Sequence, residues 1–301
     1  MSTLTLLALT GLGLGALYFL IASGLSLIFG LMDVLNFAHG AFLTAGAYAA
    51  WWADGHLPFY LAVAFGVAVG AAIAAVVETA LIRGLYARPR EQILVTVGLG
   101  LAIPALIQGV WGADARTVTP PKALAGTVGL LGARVPTDRF VLLAAALAVF
   151  AGLKVFLAKT RYGLVVRAGV EDRAMVTALG IDVRKAFTLV FAIGGALAGL
   201  AGALGGVYFG SVSPGQGTSL LIFAFVVVVI GGLGSTDGVA LAAIAVGLIQ
   251  QFTNYYAASG LGDLAVVVML ALVLLVRGNP VLDRVAASVG AAVKSSVGRA
   301  A

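Results

Sequence analysis

The chain has 301 residues, of which 61% are hydrophobic and only 18 basic and 12 acidic; its mean hydropathy is +1.11. A soluble domain carries about 25% charged residues, whereas 10% here is too little to cover a water-soluble fold. Spanning helices of roughly 20 residues each then use up most of the length and leave no room for a soluble catalytic domain. The lack of cysteine excludes disulfides, thiolate metal sites and cysteine nucleophiles, and His39 and His56 alone make no metal centre.

The expected architecture is an all-α polytopic transmembrane bundle of about 8–9 spans. Apolar stretches run at about 6–29, 37–52, 59–82, 91–111, 140–158, 187–208, 217–233, 238–256 and 263–276, and the second is short for a span. No Lys or Arg precedes Arg83 and the first charge is Asp33, so the first stretch reads as a retained span rather than a signal peptide. An N-out, C-in orientation puts 13 of the Lys and Arg residues on the inside (from Arg83, Arg88 and Arg90 through the 159–186 loop to the tail) and four, Arg116, Lys122, Arg134 and Arg139, outside. That is the distribution the positive-inside rule favours. The net charge of +6 is spread over short loops without an aromatic-interleaved patch, which suits lipid headgroups and not nucleic acid.

Residues 1–276 form the membrane domain and 277–301 a weakly basic tail, expected as an interfacial helix or disorder. The outer loop, about 112–139, carries Pro120, Pro121, Pro136 and an alternating Thr127 to Leu131 stretch, which predicts an extended or hairpin-like segment. The inner loop, 159–186, carries six basic and three acidic residues. Its Val170 to Ile181 stretch predicts a short amphipathic helix with Glu171 and Asp172 in the first turn, Gly180 at its end, and Asp172, Met175, Val176 and Leu179 on one face. Ten residues make a marginal helix in water, so this one must dock onto something.

Glycine occurs 41 times, often at four-residue spacing, as in Gly11 and Gly15, Gly66 and Gly70, Gly195 and Gly199, and the small-residue run Gly194, Ala198, Gly202, Gly206. Small residues at that spacing let helix backbones touch in lipid. Intramembrane polar groups are costly, so each is a functional candidate. Asp33, Asn36 and His39 fall at helical spacing on one face, and either line a pathway or cap a helix start. Gln108, Gln250, Gln251 and Asn254 are placed to face a bundle interior, either on a pathway or in interhelical hydrogen bonds; Asn36, His39, Gln108, Gln250 and Asn254 are the candidate pathway residues. Glu78 reads as an interfacial partner of Arg83, snorkelling toward the headgroups.

Three blocks carry a family resemblance. Gly24-Leu25-Ser26-Leu27-Ile28-Phe29-Gly30 leads to Leu35-Asn36-Phe37-Ala38-His39-Gly40. A second runs from Arg167-Ala168 through Glu171-Asp172, Ala178-Leu179-Gly180-Ile181 and Lys185 into Gly195 to Gly202. The third is Gly231-Gly232-Leu233-Gly234-Ser235-Thr236-Asp237-Gly238. In this order they resemble the permease subunits of ABC-type branched-chain amino acid importers, the smaller of that group's two permease types. The resemblance implies a bacterial inner-membrane location and three kinds of partner besides membrane lipid: a second homologous permease or a second copy, two cytoplasmic ATPases, and an extracytoplasmic solute-binding protein. It also implies that the chain is a transport subunit and not an enzyme, that Glu171, Asp172, Met175, Leu179 and Gly180 meet an ATPase, and that ATP and Mg are held by the ATPases while this chain binds no cofactor. None of the five lysines follows a glycine, so no P-loop is present. The tail departs from the family, with Arg277-Gly278-Asn279-Pro280-Val281-Leu282 in place of its Arg-Pro-x-Gly-Leu-Phe-Gly element, and no role is carried over to it. The competing readings are an ion-coupled secondary transporter, which needs mid-span carboxylates or cation sites; a permease of the same family for urea or short amides; and an intramembrane serine protease, whose serines lack an activated histidine partner.

Overall fold

Lipid offers backbone N–H and C=O groups no water to bond, so they must be paired within the chain, and the apolar stretches accordingly form helices. The computed structural model describes residues 2–32, 36–86, 88–130, 132–171, 173–178, 180 and 183–277. In chain order the helices are α1 (Ser2–Met32), α2 (His39–Asp54), α3 (Phe59–Val77), α4 (Pro89–Trp111), α5 (Thr137–Lys159), α6 (Arg161–Glu171), α7 (Arg173–Ala178), α8 (Val183–Phe209), α9 (Gln216–Gly231), α10 (Thr236–Tyr256) and α11 (Leu261–Arg277). A π-helical turn, Glu78–Ile82, and a 3-10 turn, Arg83–Leu85, continue α3.

Each of the nine expected apolar stretches is helical. Six of these helices (α1, α3 with its extension, α4, α5, α8 and α10) are long and apolar enough to cross a membrane, and α9 and α11 are shorter apolar helices. α2 has 16 residues, about 24 Å at 1.5 Å per residue, against a hydrocarbon core of about 30 Å. That shortness is tolerable because α2 begins inside the bundle: every residue from His39 to Tyr48 is buried, so its N-terminal end meets protein and not lipid.

Four short strands, β1 (Arg116–Thr117), β2 (Thr127–Leu130), β3 (Ala133–Pro136) and β4 (Ser211–Val212), lie together at one end. β2 and β3 form the expected hairpin, antiparallel with Thr127 opposite Pro136 and Leu130 opposite Ala133; Gly132 in its turn takes φ +78°. β1 pairs antiparallel with β4, and Trp51 Nε1 donates to the Thr117 carbonyl at 3.2 Å, which brings the end of α2 to the same side. At the opposite end, Gly234 N donates to Ser26 Oγ (3.1 Å), Lys154 meets Asp237 at 2.5 Å, and Val166 and Arg167 of α6 line a cleft with Ser26 and Gly234. The loops expected outside and those expected inside thus separate to opposite ends.

Burial distinguishes centre from rim. The most apolar windows of α1 and α8 are 61% and 67% buried, those of α4 and α5 only 11%. α8 is central because its glycine run admits backbone on one side. A Cβ on Gly195 would stand 2.3 Å from the Gly70 carbonyl oxygen, one on Gly199 2.5 Å from that of Gly66, and one on Gly202 2.3 Å from that of Leu43; on Gly206 it would meet Val212 Cγ1 at 2.9 Å. α1 and α10 cross in the same way, with Gly247 against the Gly11 carbonyl and Gly15 against that of Ala243.

Gly199→Val should therefore drive α3 and α8 apart, with a loss of at least the roughly 1–3 kcal/mol typical of overpacking, read as a lower thermal midpoint of the purified protein in detergent. Gly152→Ala on α5, where an added Cβ meets nothing within 4 Å, should be neutral or stabilise by up to about 1 kcal/mol, the propensity cost of a helical glycine.

Candidate functional site

Two regions bear the candidate residues: polar groups inside the bundle and the charged segment between α5 and α8. Asp33 lies outside the described residues. Asn36 precedes α2 in a turn, so Asn36 and His39 do not share a helix as expected. Asn36 Oδ1 accepts from Ala38 N at 3.1 Å and its carbonyl from His39 N at 3.2 Å, a local side-chain turn that competes with helix. His39 opens α2 fully buried, with Nε2 3.0 Å from the Ile21 carbonyl. A carbonyl only accepts, so Nε2 carries the proton, and the ring braces α1 against α2. Asn36 Nδ2 and His39 Nδ1 are buried without a partner.

Gln250 is buried between α1 and α11. Tyr18 Oη donates to its Oε1 at 2.7 Å, and its Nε2 donates to Asp263 Oδ1 at 2.6 Å. Asn254 closes the α10–α11 turn: its Oδ1 accepts from Gly260 N (3.0 Å) and Gly262 N (2.8 Å), with Gly260 at φ +91°. Gln108 stands exposed on the outside of α4, contrary to the expected interior position. The buried residues of α4 are Gln92, Thr96 and Ile107, so the helix meets the bundle along one narrow line that excludes Gln108.

Glu78 is paired with Arg83 as expected (3.3 Å) but does not snorkel. Its side chain is 0% exposed, held by a hydrogen bond from Tyr86 Oη and one from Thr188 Oγ1 at 2.6 Å. Arg83 also donates to Thr188 Oγ1 at 2.8 Å. The π turn begins at Glu78, and extra-residue turns of this kind recur at functional positions. Thr188 lies 110 residues on in sequence, and sequence reading did not connect it to Glu78.

The charged segment turns helical earlier than expected. Helix begins at Arg161 and is described through Glu171 as α6 and again over Arg173–Ala178 as α7, with Asp172 between the two, so Glu171 does not open a helix. The earlier start has a local cause: Thr160 is extended, its Oγ1 accepts from Gly163 N at 2.9 Å, and the missing Cβ of Gly163 lets α6 fold against the Phe156 carbonyl. Val166 and Val176 are buried, while Met175 is 60% exposed. Gly180 takes φ +75°, as its helix-ending position predicts. Asp172 and Leu179 lie outside the described residues, as does the tail from 278. The turn between α9 and α10 is built from Gly232 (φ +93°), Gly234 (φ +77°) and Ser235, whose Oγ accepts from Gly238 N at 3.1 Å as the N-cap of α10.

Thr188→Val should lower the thermal midpoint through a cost of about 1.5–3 kcal/mol, the range for a hydrogen bond to a charged group. Thr79→Val, at an exposed hydroxyl bonded only within its own helix, should stay within about 0.5 kcal/mol of the parent in the same melt.

Comparison with known proteins places this architecture. A family model described as "Branched-chain amino acid transport system / permease component" matches residues 7–277. The chain is 29% identical over 289 residues to the high-affinity branched-chain amino acid transport system permease protein BraD of Pseudomonas aeruginosa, covering 91% of this chain and 94% of that one. It is 27% identical over 300 residues to the corresponding protein LivH of Escherichia coli, with the same coverage, and 28% identical over 291 residues to the permease protein LivM of that organism, covering 84% of this chain and 66% of LivM. Among solved structures, PsaBC from Streptococcus pneumoniae in complex with Fab has a similar fold, with a TM-score of 0.50 at 15% identity over 88% of this chain and 89% of that one.

Proposed function

We propose a transport role that proceeds from one premise: this chain belongs to the family of permease components of branched-chain amino acid transport systems. It is the membrane-spanning permease subunit of an ATP-driven, binding-protein-dependent importer that passes branched-chain or related amino acids into the cytoplasm. The observation that carries this reading is the family match, which runs through all nine apolar helices and the charged segment between α5 and α8. The protein is multi-pass, and we assign it to the bacterial cytoplasmic membrane with the start of α1 outside. Its partners in this reading are a second homologous permease or a second copy, two cytoplasmic ATPases that hold ATP and Mg, and an extracytoplasmic binding protein. The likeness to LivM as well as LivH supports a system with two permease types.

The segment from α6 to Gly180 is the contact for the ATPase, through Glu171, Asp172, Met175, Leu179 and Gly180. The support is geometric: Val166 and Val176 fix the segment to the bundle while Met175 is turned outward. Asn36, His39 and Gln250 remain pathway candidates; Gln108 is one only where a second permease covers α4. Ion coupling is disfavoured because Glu78, the one acid well inside a span, is already occupied by Arg83, Tyr86 and Thr188.

In proteoliposomes containing the second permease, ATPases and binding protein, uptake of leucine should require ATP and survive collapse of ion gradients. Uptake without the ATPases that is abolished by collapsing an ion gradient overturns the importer reading. The double change Glu171→Ala and Leu179→Ala should leave the protein folded and cut uptake per ATP hydrolysed at least about tenfold; unchanged coupling removes the contact assigned to this segment. Uptake of urea or acetamide in preference to leucine moves the cargo assignment to short amides.

A further inference from the structure

α5 and α10 both pack on α1, and around the middle of α1 they leave a groove between them. It has a volume of about 260 Å³ and is lined by Gly15 and Phe19 of α1, Ala146, Leu147 and Phe150 of α5, and Ile244 of α10, among other residues that are all apolar. Leu147 and Ile244 are exposed, so the groove opens on the flank of the bundle. A space several times a water's share of about 30 Å³ that offers no polar partner stays dry. On the flank of a membrane protein the medium that fills it is hydrocarbon.

The cleft of Ser26, Leu157, Arg167 and Gly234, with a volume of about 180 Å³, lies further along the same seam. On α1 Phe19 precedes Ser26 and on α5 Phe150 precedes Leu157, while α10 runs the opposite way, with Ala240 after Gly234. Between groove and cleft, Lys154 of α5 pairs with Asp237 of α10, and its Nζ stands 5.7 Å from the Phe150 ring centre. Both side chains of the pair are exposed, and such a pair contributes little, so Lys154 can turn to another anion at small cost. Arg167 is exposed and takes part in none of the four ion pairs among the described residues. From Lys154 to Arg167 the chain carries Lys154, Lys159, Arg161 and Arg167 and no acidic residue. An apolar slot inside the membrane thus continues into a cationic cleft at its edge, and an anionic phospholipid has both parts in that order.

We propose that the α1–α5–α10 seam binds an anionic phospholipid. Arg167 and Lys154 hold its phosphate, a group that guanidinium and ammonium donors bind well, and one acyl chain lies in the apolar groove. The dimensions agree: Ser26 lies about 15 Å along α1 from Ala16 at 1.5 Å per residue, and one leaflet's hydrocarbon is half of about 30 Å. The bound lipid ties α6 to α1, α5 and α10 at once. In the orientation assigned above it belongs to the cytoplasmic leaflet, while the site itself depends neither on that orientation nor on the cargo.

The test reconstitutes the full chain, alone and in complex with the second permease and the ATPases, in nanodiscs of phosphatidylcholine. A small fraction of a phospholipid with a photoactivatable diazirine on its acyl chain is added, and cross-links are mapped by mass spectrometry. With phosphatidylglycerol as the labelled lipid, cross-links should concentrate on Leu12–Phe19, Leu143–Phe150 and Ala240–Ile244; phosphatidylcholine carrying the same label should give fewer there. Arg167→Gln should cut this labelling about fivefold, the effect of one basic group facing anionic lipid. Arg90→Gln, which removes an exposed cation from the start of α4, should leave it unchanged. Equal labelling by the two lipids, an equal fall in both variants, or labelling spread evenly over the lipid-facing helices would each overturn the site. Loss of the groove labelling in the assembled complex would overturn it too, by giving the groove to the second permease.

Discussion

Helices in lipid gain nothing by hiding apolar surface from each other, because acyl chains are as apolar as leucine; they associate where their surfaces fit at van der Waals contact. α8 meets that constraint most closely. Gly195, Gly199 and Gly202 set it against the carbonyls of Gly70, Gly66 and Leu43 at separations that leave no space for a methyl group. Because these contacts are made by backbone, they have no rotamers to adjust, and α2, α3 and α8 move together or not at all. The other helices arrange themselves around that block: α1 is pinned to it by His39 and the Ile21 carbonyl, and α4 and α5 form its loosely covered rim.

A rigid block transmits whatever is applied at its ends. At one end the Glu78 cluster joins the extension of α3 to the first turns of α8, just after the charged segment. A buried carboxylate is expensive unless it is fully bonded, and here three separate donors surround it. The cluster also sits where α3 changes from α to π winding, so the carboxylate is aimed by backbone geometry as well as by its partners. At the other end the same three helices line a small cleft with Ala50, Ala62, Ala203 and Val207. The glycine contacts lie between, and they fix the cleft and the carboxylate clamp to one body.

The helical stretches were legible in the sequence because in lipid an apolar run of sufficient length has one stable backbone solution. The extended stretch that became β2 was legible from its alternation, and the helix-ending role of Gly180 from turn chemistry. Which way a helix faces was not. α4 is apolar on all sides, and where the surroundings are as apolar as the interior a hydrophobic period does not separate rim from core; Gln108 was therefore assigned inward and lies outward. Thr188 as the partner of Glu78 depends on the α3–α8 crossing, which no local pattern encodes. The start of α6 was missed for another reason: the Thr160 cap and the close approach at Gly163 are local, but Gly163 reads as a helix breaker until its position against Phe156 is known.

The segment between α5 and α8 is attached unlike the rest. α6 leans on α5 through Gly163 and on the C-terminal part of α1 through the cleft shared by Val166, Arg167, Ser26 and Gly234. Among the described side chains of α7, Val176 is buried against the bundle. Force on α7 therefore has two routes into the bundle: forward along the chain into α8 and the Glu78 clamp, and sideways through α6 into α1 and the glycine turn before α10. On the importer reading the two routes act on different bodies. The first moves the α2–α3–α8 block as a unit. The second moves the α1–α10 pair, whose own glycine contacts at Gly11, Gly15 and Gly247 make it a second block. His39, bonded to α1 from the head of α2, lies where the two blocks meet. Gly24 of α1 and Gly194 of α8 also bring backbone together between the blocks, so a relative rotation must strain this buried hydrogen bond and a close-packed glycine contact at once.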